Sequence, residues 1–66
     1  MCEFKVILDG EEVFRDVVYA KAYDEKVMVR DVIGETREFK NCRIITVDVN
    51  NAQLILSSLK APNQQG

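Results

Sequence analysis

Any chemistry done by this chain is done without histidine, which is absent, so the side chains left to do it are few. Cys2 stands directly after Met1 and is followed by Glu3. The Cys2 thiolate, the backbone nitrogens around it and the Glu3 carboxylate make a compact set of donors. Thiolate and nitrogen donors in a square plane suit Ni(II) or Cu(II), whereas carboxylate and carbonyl oxygens alone suit harder ions. One chain supplies a single thiol of this kind, and a two-fold dimer that brought two chain starts together would supply a symmetric pair. The plainer alternative is that Cys2 opens an edge strand and packs as a small hydrophobe, which composition alone favours.

The other candidates are weaker. Cys42 lies between Asn41 and Arg43 at the start of an apolar run, with no second ligand near it in sequence, and reads as a packed thiol. The absence of histidine removes histidine triads, Cys-His pairs and every His-containing metal motif. Gly10, Gly34 and Gly66 are too far apart to cradle a phosphate, and no Cys-x-x-Cys pair is present. Glu11-Glu12 and Asp24-Glu25 fall in turn regions, where paired carboxylates are solvated loop charge. A binding protein is expected, not an enzyme.

The elements that must position Cys2 and Glu3 are strands. Phe4, Val6 and Leu8 alternate with Glu3 and Lys5 over residues 2–8, the period of a half-buried strand, and Asp9-Gly10 supplies a tight turn. A second strand is expected over 13–20, with Asp16 interrupting its alternation as a bulge or kink. Tyr23-Asp24-Glu25-Lys26 reads as a polar loop. Further strands are expected over 27–33, 36–40, 42–49 and 53–57, with turns at Gly34-Glu35 and Asn50-Asn51. The fold class is therefore all-β, a small single-domain β-barrel or curled antiparallel meander of about six short strands. The β domain is expected over 1–57, and residues 58–66, with Pro62 among polar residues, form a flexible tail.

The chain has 66 residues, a length near the lower limit for folding without a partner or metal. Its net charge of −2 gives no general attraction to nucleic acid or an anionic membrane, although a local basic patch is compatible with it. No apolar run approaches the ~20 residues of a membrane helix and no signal-like pattern opens the chain, so a cytoplasmic protein is expected.

Met1-Cys2-Glu3, the central Asp31-Val32-Ile33-Gly34-Glu35 turn and the closing Ile44, Val47-Asp48 and Ile55-Leu56 resemble the CooT family over residues 1 to about 57. The resemblance implies a nickel-binding accessory protein for carbon monoxide dehydrogenase maturation, a small β-barrel fold and a homodimer. The family's metal-binding cysteine, directly after the initiator Met, falls on Cys2. The family has also carried the label of predicted RNA-binding protein, so an RNA-binding barrel using Phe4, Phe14, Tyr19, Tyr23 or Phe39 as stacking platforms is the competing reading, with a plain protein-interaction module as the third. Against RNA, aromatics at strand positions are most simply core, and basic residues are interleaved with acids. Cys42 and the polar tail depart from the family pattern.

Overall fold

The computed structural model describes residues 3–59. It is all-strand: β1 (Phe4–Leu8), β2 (Glu11–Tyr23), β3 (Lys26–Asp31), β4 (Thr36–Lys40), β5 (Cys42–Asp48) and β6 (Gln53–Ser58). They form one sheet in the order β4-β3-β2-β1-β6-β5. Every neighbouring pair is antiparallel except β1 and β6, which run parallel, so the sheet is mixed.

This order forces the sheet to curl. The two outermost strands, β4 and β5, are consecutive in sequence and joined by Asn41 alone, so the two edges of the sheet must meet at that corner. Asn41 takes a left-handed φ of 58°, which Asn tolerates better than most residues. The corner is pinned by Cys42 N donating to Glu25 O at 3.2 Å and Leu59 N donating to Asn41 O at 2.7 Å. Beyond the corner β4 and β5 do not pair, so the result is a curled meander and not a closed barrel.

Irregular pairing supplies the curvature, because each extra residue on a strand bends it and increases its twist. The register shifts between Phe4 and Val6 and between Val6 and Ile7 where β1 meets β2, between Val17 and Tyr19 where β2 meets β3, and between Ile44 and Thr46 where β5 meets β6. Asp16, with φ 59°, sits at the bend of β2, and its carbonyl accepts from Val32 N at 3.0 Å. The long β2 can therefore pair with β1 through its first half and with β3 through its second.

The concave face holds the core. Val6 and Val17 from β1 and β2, Val27 and Val29 from β3, Cys42 from β5, and Leu54 and Leu56 from β6 are buried, with Phe4, Leu8, Val13, Phe14, Phe39 and Ile44 packed around them. No polar side chain is buried among the described residues. Such a small core leaves much apolar surface outside it, and Val18, Ile45, Val47 and Val49 are all exposed.

The turns follow their residues, with three shifts. The expected polar loop Tyr23–Lys26 is a two-residue turn at Asp24-Glu25, because β2 runs over Glu11–Tyr23, beyond the expected 13–20, and Tyr23 pairs with Lys26 across the turn. β3 ends at Asp31, not at residue 33, because the Asp31 carboxylate accepts from Ile33 N at 3.1 Å and Glu35 N at 2.8 Å and folds 31–35 into a capped turn. Ile33 is thereby left exposed. In the β5–β6 turn the left-handed residue is Ala52, not Asn50 or Asn51. Asn51 acts instead through Asp48, which accepts from its backbone N at 3.1 Å and its Nδ2 at 2.9 Å.

Those bonds to Asn51 hold the Asp48 carboxyl below its ordinary pKa. A lowered folded-state pKa means stability present above the ordinary carboxylate range and lost as pH falls through the folded pKa. Asp48→Ala should therefore lower Tm at neutral pH, and the gap from wild type should close as the pH is brought down. Paired thermal melts across the acid range check this, and a gap that persists at the lowest pH refutes it.

Candidate functional site

The chain enters the sheet at a fixed place. Glu3 is exposed immediately before β1, Phe4 pairs with Val17, and Lys5 N donates to Ala52 O at 2.9 Å. The first strand is thus held on both sides from its start. Cys2, the thiol singled out above, lies outside the described residues, as does the expected tail 58–66 from residue 60 onward, while Ser58 closes β6. Glu3 is the described member of the expected donor set.

Beside this start the curled sheet opens into an apolar groove of about 260 Å³. Its walls come from Phe4, from Val17, Val18, Tyr19 and Ala20 on β2, from Ile44 and Val47 on β5, and from Leu54 on β6. The geometry follows from the bulge in β5. Ile44 pairs with Leu56 and Val47 pairs with Leu54, so the extra residue between them lets positions three apart share the concave face. At the Cys42 end β5 is tied to the β2–β3 turn; towards Val47 no backbone hydrogen bond ties it across to β2 among the described residues, and the groove lies between them. Val18 and Val47, 43% and 57% exposed, are large apolar side chains that a lone domain leaves in water.

Cys42 is elsewhere and otherwise engaged. It pairs with Ser58, whereas Lys5 pairs with Gln53, which places Cys42 and the chain start towards opposite ends of β6, separated by roughly 15–20 Å at about 3.3 Å per residue. Its side chain is 1% exposed and donates to the Phe39 carbonyl at 3.3 Å. Burial, with a smaller contribution from Asp9, pushes the thiol pKa up, so Cys42 remains a neutral packed thiol at physiological pH, as its sequence setting suggested. Among the described residues no three Cys, Asp or Glu side chains gather to hold an ion.

The aromatics divide by face. Phe4, Phe14 and Phe39 pack against the core, and the Arg37 guanidinium covers the Phe14 ring at 4.9 Å. Tyr19 and Tyr23 lie with the cations of the convex face. Sequence reasoning had no signal for the groove, whose lining depends on the β5 bulge.

Together these features define a small curled-sheet domain whose distinctive surface is an apolar groove beside the start of β1. The family model for the CO dehydrogenase accessory protein CooT matches residues 1–57, most of the chain, and the chain belongs to that family. No curated protein matches it.

Proposed function

We propose that this protein is a cytoplasmic nickel accessory protein, not an enzyme, which carries Ni(II) as cargo on a homodimer for a client metalloenzyme of the carbon monoxide dehydrogenase kind. The ligands are Cys2 from each chain, with backbone nitrogen near Cys2 and Glu3 completing the set and the Glu3 carboxylate beside it. The observation that carries this reading is the apolar groove next to the chain start, two residues from Cys2 along the chain at Phe4. A second copy seated there covers Val18 and Val47 and brings two thiolates together on one symmetry axis. The family's accessory role supports it, and so does Cys42, which is buried and bonded to Phe39 and so leaves Cys2 as the thiol available for metal. A site of few ligands favours exchange over permanent binding, as a carrier requires.

RNA binding is the less favoured reading, because the three phenylalanines are packed and cannot stack on bases. The test is a Ni(II) titration followed by sulfur-to-nickel charge-transfer absorption and sedimentation together. The expected result is one ion per dimer with the band present. A monomer at tens of micromolar, a range in which weak dimers of about this affinity form, would refute the shared site.

A further inference from the structure

The convex face of β2, β3 and β4 carries a feature that neither the groove nor the metal explains. The antiparallel register sets its side chains in three rows: Tyr19, Arg30 and Thr36; Lys21, Met28 and Glu38; and Tyr23, Lys26 and Lys40. Lys21, Lys26, Arg30 and Lys40 are all exposed, and none of them forms an ion pair among the described residues. Lys26 and Lys40 are direct cross-strand partners. Like charges directly opposite one another destabilise a sheet. The single acid in these rows, Glu38, whose carboxylate accepts the Tyr23 hydroxyl at 2.5 Å, is one anion against four cations. This exposed face is therefore net positive on a chain that is negative as a whole, a surface suited to a partner of opposite charge.

We infer that this face docks an acidic segment or surface of a partner protein, with Lys21, Lys26, Arg30 and Lys40 receiving its carboxylates. Charge complementarity names the chemistry, and two observations favour carboxylates on a protein over a nucleic acid. The tyrosine rings that would stack on bases already carry cations, with Arg30 4.8 Å from the Tyr19 centroid and Lys21 and Lys26 at 5.6 and 6.0 Å from that of Tyr23. The patch is also short: three rows on three strands span roughly 14 by 10 Å. Asp24 and Glu25 in the β2–β3 turn bound it at one end, and the chain as a whole is negative, which repels a long polyanion.

The test is fluorescence anisotropy of fluorescein-labelled decaglutamate with the full chain at low salt, with labelled decauridylate in parallel. Decaglutamate should bind saturably, more weakly as salt rises, and in preference to decauridylate. Lys40→Glu, which places a carboxylate opposite Lys26, should weaken the peptide about tenfold or more, a change of about 1.4 kcal/mol, while Tm stays level or rises because the like-charge pair is gone. Arg43→Glu on β5, exposed and outside the three rows, should leave peptide binding unchanged. Failure of decaglutamate to saturate, an undiminished affinity in Lys40→Glu, or an equal loss in Arg43→Glu overturns the inference. Tighter binding of decauridylate overturns it in favour of nucleic acid.

Discussion

Replacing Cys2 with serine should abolish nickel binding and leave the fold intact, whereas Cys42→Ser should leave nickel binding unchanged and cost stability. The first half rests on ligand chemistry. In a chain without histidine the thiolate is the strong soft donor, and a serine hydroxyl is neither soft nor readily deprotonated. The second half rests on burial. Cys42 is 1% exposed in the core, so its replacement puts a hydroxyl where a sulfur packed, at a cost of about 1–3 kcal/mol reduced by whatever bond it keeps to Phe39. Nickel binding should also weaken as the pH falls, because protons compete for the thiolate and for any ligating backbone nitrogen. Titrating both variants with Ni(II), with charge-transfer absorption and thermal melts as the two readouts, separates the roles. Retention of wild-type affinity by Cys2→Ser, or its loss in Cys42→Ser with the fold intact, would show that the ligand assignment is wrong.

What could be read from the chain without its structure was local. Period-two alternation placed six strands, Asp9-Gly10 and Gly34 marked turns that do use left-handed backbone, and Asp16 broke the pattern of β2 at a real bend. These signals are short-range, because side-chain alternation and turn geometry are decided within a few residues. The parallel pairing of β1 with β6 was not legible, since it joins the two ends of the described chain and no local pattern encodes a partner that distant. The groove was hidden for a related reason. Ile44 and Val47 look like opposite faces of one strand, and only the bulge against β6 brings them to the same side. The cationic rows needed the register of β2, β3 and β4, because in sequence Lys21, Lys26, Arg30 and Lys40 are scattered among acids.

If a second copy covers the groove, Val47→Asp should turn the dimer into a monomer and take nickel binding with it, although Val47 is remote from any ligand in sequence. Val47 lines the groove and is 57% exposed in the single chain, so a carboxylate there is solvated in the monomer and the fold survives. In the dimer the substitution acts twice. Each copy loses an apolar side chain from the contact, about 1.5 kcal/mol or more apiece, and each places a charge in an apolar surface, so dissociation should strengthen about a hundredfold or more. Thr46→Asp is the control: it adds the same charge to β5 at an exposed neighbouring position paired with Ile55, outside the groove lining. Sedimentation should show Val47→Asp as monomer and Thr46→Asp as dimer, and the nickel charge-transfer band should follow the dimer. Loss of the dimer in both variants would place the contact elsewhere on β5. A monomeric Val47→Asp that still binds nickel at full affinity would mean that one chain holds the ion alone, and the groove would then have no part in the metal site.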